Sequence, residues 1–416
     1  MAIPNRISYS KDSPQRCDPG VIECPSRGSM VICNMRRKTL NSLGVIALMT
    51  LVAGAQAQVT LTAKASFGGG DGWLNVADAN DATVLEAGNL TRGMAFDSTT
   101  GRLVVVNRTG GMNINVLDGG TGAKLHTLNN SLYTGANGAQ GAFFANMVTV
   151  DGSGRVYVGN LATSITGNFQ LYRYDSSNLG AAVARVFNST TGVIRLGDNL
   201  DSIGSGNNIS VLAGAGGGSF GYVRLDSSDG GNTFTSTAIN PGGATVAGDF
   251  RLGMTFREDS SRVFGTQGFL GSANRPTFGF DGSGLSQSTT SAGERPMDFI
   301  EYQGRKLLAT VATAGDGVVS PNVFANAVSV YDVTDPNNFV KLTSANLTTG
   351  SPVANTNGVG AVQWGVFNGQ LSLYAMNTNN GIQAFDVSVE AVPEPATMIV
   401  LAGAAAIAAR RRRKNS

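Results

Sequence analysis

Histidine occurs once in these 416 residues, at His126, and cysteine three times, at Cys17, Cys24 and Cys33, all within the first 34 positions. A Ser-His-Asp triad, a two-histidine metal site and histidine general-base catalysis each need an imidazole at a chosen place, and a lone histidine in a strand expected at an outer sheet edge does not supply it. Disulfides and thiolate metal sites are likewise excluded beyond residue 34. Charge is also scarce, at 14% of residues, where about a quarter is usual. Residues 58–392 hold 18 Lys and Arg against 24 Asp and Glu, so the net charge of +2 comes from the two ends. No clustered basic face exists to neutralise phosphates, which argues against a nucleic-acid partner. Gly-x-Ser-x-Gly elbows, phosphate loops and EF-hand loops are absent. Residues 226–231 hold acids and glycines without the alternate ligands or closing Glu of a calcium loop, and the glycines of 214–218 lack a following Lys-Ser/Thr. No metal site or cofactor is expected; calcium stays open with no motif in its favour.

What the chain does have is glycine, 56 residues of it, in no three-residue period. That composition suits short strands joined by tight turns better than long helices. The ends are different. Met35-Arg36-Arg37-Lys38 opens a basic region, residues 43–52 form a short apolar run, and Ala55-Gln56-Ala57 places small residues at the −3 and −1 positions of a cleavage site. Residues 35–57 therefore read as a secretory signal peptide, cut after Ala57 to leave Gln58 at the new N-terminus. Arg36-Arg37 hints at twin-arginine export, but the residues that follow are not the usual Phe-Leu pair, and general secretion fits better. Residues 1–34 then read as an upstream extension outside the native protein, with translation starting at Met35.

At the other end, Val392-Pro393-Glu394-Pro395 precedes an apolar run at 396–409, and Arg410-Arg411-Arg412-Arg413-Lys414 follows at once. A 14-residue helix reaches about 21 Å, short for a hydrocarbon core of about 30 Å unless the arginines snorkel. The basic cluster stays cytoplasmic, so the body is expected across the inner membrane. Residues 391–416 closely resemble the PEP-CTERM sorting signal of Gram-negative bacteria: a Val-Pro-Glu-Pro motif, a short transmembrane segment and an Arg-rich end. The resemblance implies recognition by an exosortase, transient anchoring in the inner membrane, and delivery to the cell surface or the exopolysaccharide matrix.

The body, residues 58–390, repeats. Residues 73–78, 114–118, 171–175, 222–226, 277–281, 328–332 and 382–386 each read as an alternating apolar strand closed by aspartate. The aspartates are spaced by 40, 57, 51, 55, 51 and 54 residues. Upstream of most lies a pair of apolar strands joined by a tight turn, as at 94–97 with 103–106, 147–151 with 156–158, 254–256 with 263–264, 297–302 with 307–308 and 362–367 with 371–374. The third unit is weaker and is read through 203–213. Four short antiparallel strands recurring about every 50 residues make a β-propeller blade, whose two faces are buried only by stacking on neighbours. Six inner strands against seven Asp-ended strands favour six blades over seven. Residues 73–78 and 83–87, which precede any inner strand, are expected to complete the last blade and lock the ring. In layout this all-β body resembles YVTN-like and NHL-like propellers, although no blade carries a diagnostic motif.

The strand-ending aspartates read as caps of the turns that follow, as do Asp97 and Asp151, because a carboxylate accepts the backbone N–H groups of the next residues. Function is sought instead where the inner strands begin, facing the mouth of the central channel. Arg92, Arg251 and Arg295 stand two or three residues before Met94, Met254 and Met297, with Asn146, Asp201 and Asn357 in the corresponding places of other blades. That pattern suggests a polar funnel whose arginines hold the carboxylate or sulfate of an acidic sugar. The leading expectation is an exported surface or matrix module that binds exopolysaccharide or protein without catalysis. The rival readings are a metal-dependent propeller hydrolase or lactonase, for which Asp201, Asp298 and Asn146 are the candidate ligands, and a purely structural surface protein.

Overall fold

The computed structural model describes residues 58–390 apart from 268, 271–272, 292, 314–325, 350–351 and 356. The expected signal peptide and sorting tail lie outside these residues. Among the described residues no helix is long and apolar enough to cross a membrane.

The chain opens with β1 (Val59–Ala63) and β2 (Trp73–Leu74), then one turn of helix, α1 (Val76–Ala79). Blade I is β3 (Thr91–Asp97), β4 (Arg102–Asn107), β5 (Asn113–Asp118) and β6 (Lys124–Thr127). Blade II is β7 (Phe143–Val150), β8 (Val156–Leu161), β9 (Asn168–Tyr174) and β10 (Val183–Thr190). Blade III is β11 (Ile194–Ser205), β12 (Asn208–Gly217), β13 (Tyr222–Ser227) and β14 (Thr235–Ile239). In blade IV, β15 (Gly253–Phe256) and β16 (Val263–Thr266) are followed by a small hairpin, β17 (Phe269–Leu270) and β18 (Ala273–Asn274), before β19 (Thr277–Phe280) and β20 (Leu285–Ser288). Blade V is β21 (Glu294–Tyr302), β22 (Arg305–Ala312), β23 (Val328–Asp332) and β24 (Val340–Ala345). Blade VI holds β25 (Gly360–Phe367), β26 (Gln370–Asn377) and β27 (Gly381–Val389), and β1 pairs antiparallel with β27 as its fourth strand. Each inner strand touches the next around the ring, and β25 touches β3, so six blades close on themselves.

Closure by the N-terminal segment occurs, but with other residues than the sequence pattern suggested. The fourth strand is β1, with Val59 opposite Val389, whereas Trp73 and Leu74 add only a two-residue bridge to Gln383 and Ile382. Asp78 ends no strand: Asn75 and Asp78 form a reciprocal capping box that winds 76–79 into α1. Residues 83–87 are turn and loop. Removing Asp78 from the series leaves six aspartates, one per blade, although Asp386 lies within β27, paired with Lys64, because β27 runs on to Val389 alongside β1.

Second strands read as continuous aliphatic runs because both faces of a blade are covered by neighbours. Leu103, Val104, Val105 and Val106 of β4 are all fully buried, split between the core on one side of blade I and the core on the other. The ring joint between blades VI and I is tied by Tyr374, which stacks on Phe96 at 5.2 Å and donates its hydroxyl to the Gly119 carbonyl at 2.6 Å. Along the axis, Met94, Met147, Met254 and Met297 with Leu200 and Val362 leave a gap of only about 10 Å³, so pliable thioethers plug the channel.

Candidate functional site

A buried concentration of charge sits at the start of the inner strands. It is organised by Asp198 of β11, which is 1% exposed. Arg195 and Arg251 each donate Nε to Asp198 Oδ2 at 2.6 Å, and Arg92 Nη2 stands 3.7 Å from Oδ1. Asn146 extends the cluster by accepting from Arg92 Nε at 3.4 Å and Arg108 Nη1 at 3.1 Å, while its own amide donates to the Gly197 carbonyl at 2.6 Å. Four guanidinium groups from blades I, III and the start of IV thus gather around one carboxylate.

Local backbone explains how Asp198 reaches this place. The β11–β12 register shifts between Leu196 and Leu200, which puts a bulge at 197–199. Gly197 sits there at φ +103°, and a Cβ on it would fall 2.0 Å from the Asn160 carbonyl oxygen, so only glycine is accommodated. Arg195, just before the bulge, holds φ +58°, a left-handed conformation that an arginine adopts at a cost in strain.

Burial pushes the Asp198 carboxyl up, but Arg251 and Arg195 outweigh it and hold it below the usual carboxylate range. Burial pushes Arg92 down to about 10, against the pull of Asp198 and with the repulsion of Arg195 and Arg251 added. Arg108 is also pushed down to about 10, by burial first and Arg92 second. Positive charge here exceeds negative, and the outer edge of the cluster is open: the Arg195 and Arg251 side chains are 35% and 22% exposed. Both bind Asp198 through Nε, which leaves the Nη end of Arg251 outside the pair. Arg92 Nη1 is buried without a hydrogen-bond partner. Beside the cluster the Arg108 guanidinium lies 3.5 Å over the ring of Phe143, which is itself exposed.

The six residues singled out from the sequence separate. Arg92 and Arg251 meet at Asp198, and Asn146 joins them through Arg92. Arg295 is buried in β21, where Nη1 donates to the Thr313 carbonyl at 3.4 Å and packs against Gly358. Asn357 is exposed on the loop before β25. Asp201 lies three residues further along β11 than Asp198, about 10 Å of strand, past the axial layer that holds Leu200. There its carboxylate accepts the Phe256 amide at 2.7 Å and the Thr255 hydroxyl at 3.1 Å, joining blade III to blade IV. Asp298 accepts the Trp364 amide at 2.7 Å, joining blade V to blade VI, and its other oxygen is 3.4 Å from Thr255 Oγ1. Burial pushes Asp201 up to about 6; burial, then the charge of Asp201, push Asp298 well above the ordinary range.

Asp201 and Asp298 are therefore engaged with backbone amides, and Asn146 belongs to the arginine cluster. Among the described residues no three His, Cys, Asp or Glu side chains group closely enough to hold a metal ion. His126 is half-buried in β6, with Nε2 2.9 Å from the Ser177 carbonyl oxygen. Asp97 and Asp151 cap their hairpin turns, accepting the amides of Thr99 and Ser153. Sequence reasoning missed Asp198, Arg195 and Arg108. Alternation places the inner strand of blade III from 203, and the bulge that carries Asp198 precedes that point and breaks the alternation.

A PEP-CTERM protein-sorting motif matches residues 391–414. No curated protein sequence matches the chain. Among solved structures, a DUF4623 family protein from Bacteroides eggerthii is similar over 73% of this chain and 72% of its own, at 17% identity and a TM-score of 0.54. A gluconolactonase from Xanthomonas campestris is similar over 80% of this chain and 95% of its own, at 13% identity and a TM-score of 0.43. The first likeness is one of fold alone. The sorting motif marks an exported protein and implies processing by an exosortase. The chain is an all-β, six-bladed propeller with a C-terminal PEP-CTERM sorting motif.

Proposed function

We propose that this protein is a cell-surface or matrix module that binds an acidic extracellular polymer, foremost an exopolysaccharide, at the arginine-bearing mouth of its ring. The observation that supports this reading is the excess of guanidinium over carboxylate around Asp198, with Arg251 and Arg195 partly exposed and Arg92 Nη1 lacking a partner. An incoming carboxylate or sulfate neutralises that excess and accepts several charge-assisted hydrogen bonds at once. Phe143 beside the cluster adds an exposed ring against which the polymer can rest. Export and exosortase sorting carry the module through the inner membrane to where such polymers lie.

The test is binding of a polyuronate such as alginate, with dextran as the neutral comparison. Arg195→Ala and Arg251→Ala should each weaken alginate binding roughly ten- to a hundredfold, measured below a thermal transition that each also lowers by taking an ion-pair partner from buried Asp198 but leaves cooperative. Added salt should weaken the wild-type protein as well. Alginate affinity unchanged in both variants would sink the reading.

A further inference from the structure

A second cavity, of about 220 Å³, lies between the N-terminal segment and the loops of blades V and VI. Trp73, Asn75, Asn326, Thr349, Asn379 and Asn380 contribute to its walls, and none of its lining side chains is charged. The indole is half-buried and fixed, since Trp73 Nε1 donates to the Asn380 carbonyl at 2.8 Å and its backbone pairs with Gln383. The walls are held in the same way. Asn379 donates to Asn89 Oδ1 at 3.0 Å and to the Ala354 carbonyl at 2.6 Å, and Asn380 brackets Val353, accepting from its amide and donating to its carbonyl. Asn326 uses one N–H on Thr348 Oγ1 at 3.2 Å. Its second N–H, the Asn75 side-chain Nδ2 and the Thr349 hydroxyl make no hydrogen bond among the described residues, while the Asn75 backbone N–H is used on Asp78.

These features select a ligand by exclusion. A charged group entering the cleft would lose hydration and meet no counter-charge. A purely apolar ligand would strand the free amides. A neutral sugar ring satisfies both conditions, with its C–H face on the indole and hydroxyls that donate as well as accept. The volume is below the ~300 Å³ at which drug-sized sites begin, which suits one ring. Because the walls are already ordered, little conformational entropy is lost on binding.

We propose that the Trp73 cleft is a binding subsite for one neutral sugar ring. It is joined to the arginine cluster by one residue: Asn89 exchanges hydrogen bonds with Asn379 and accepts from Arg108 Nη2 at 3.2 Å. A heteropolymer of neutral and acidic sugars would meet both places, yet the cleft rests on its own geometry and does not need the arginine reading.

The experiment titrates the purified protein with glucose, galactose, mannose and their oligomers, read by tryptophan emission and calorimetry. The chain has two tryptophans, and the other, Trp364, is 7% exposed, so emission changes report on Trp73. At least one neutral sugar should give a saturable change. Calorimetric affinity should fall roughly tenfold or more in Trp73→Ala, and equally in Ala87→Trp, which fills the cleft from an exposed position. Arg251→Ala should bind the neutral sugar as the wild type does, which separates this proposal from the acidic-polymer reading. The proposal is overturned if no sugar of the panel changes the emission, if Ala87→Trp binds unimpaired, or if Arg251→Ala abolishes the binding.

Discussion

At the scale of single residues, the informative positions are those where an ordinary strand residue has been replaced by a charge that must be satisfied. Asp201 and Asp298 both approach the hydroxyl of Thr255; burial raises both pKa values, and the charge of Asp201 raises that of Asp298 further. The protonated form is therefore favoured by folding. Stability from this pair is complete below the unfolded carboxylate range near pH 4 and is lost as pH rises through about 6 and beyond, where the folded pair must ionise. Asp298→Asn keeps a carbonyl oxygen for the Trp364 amide and removes the repulsion, so it should raise stability near neutral pH by about 1–2 kcal/mol and flatten the slope. Urea unfolding at about pH 4.5 and pH 7.5 checks this. Equal stability of variant and wild type at the higher pH would show that the two carboxyls do not burden each other. The Asp198 cluster behaves in the opposite sense, since its carboxyl is held low and contributes at all but strongly acid pH. Gly197 bears on the same cluster: Gly197→Ala collides with the Asn160 carbonyl and should lower the unfolding free energy by more than about 2 kcal/mol, read from the urea midpoint.

Among the elements, β1 matters most for its length. Five residues convert three C-terminal strands into a four-stranded blade, and Val59, buried against the blade VI core, anchors the pairing. Deleting residues 58–63 should expose the β27 edge, broaden or abolish the cooperative thermal transition and promote association, as unpaired edges do. Amide exchange along β27 should rise by orders of magnitude in that variant; unaltered exchange would mean that the ring closes without β1. The contrast with α1 shows how far sequence patterning reaches. Residues 59–63 and 73–78 both alternate, and alternation alone does not say which will pair with a strand more than 300 positions away. The capping box of Asn75 and Asp78 is a local signal, and it wins over alternation because it satisfies helix-end amides within four residues.

For the molecule as a whole, six blades sharing buried faces and tied from first to last strand should unfold in one transition, with coincident loss of far-UV and aromatic signals; two separated transitions would contradict the shared cores. Much of this architecture is legible in the chain itself. Recurring Asp-ended strands about 50 residues apart, paired apolar runs and glycine turns specify blades, because a strand's alternation and its turn are settled by residues close in sequence. The sorting segment is legible for the same reason: it is a contiguous pattern of charge and hydropathy. The strand count by itself favours six blades over seven, and the pattern picks out Arg92, Asn146 and Arg251; the identity of the closing strand and the grouping of those residues with Asp198, Arg195 and Arg108 were decided by tertiary structure. Arg92, Arg195 and Arg251 come together on Asp198 only because a bulge at Gly197 redirects one inner strand and ring closure fixes how the blades face each other. Neither event has a sequence-local signature, since each depends on which backbone atoms stand opposite once distant strands have paired.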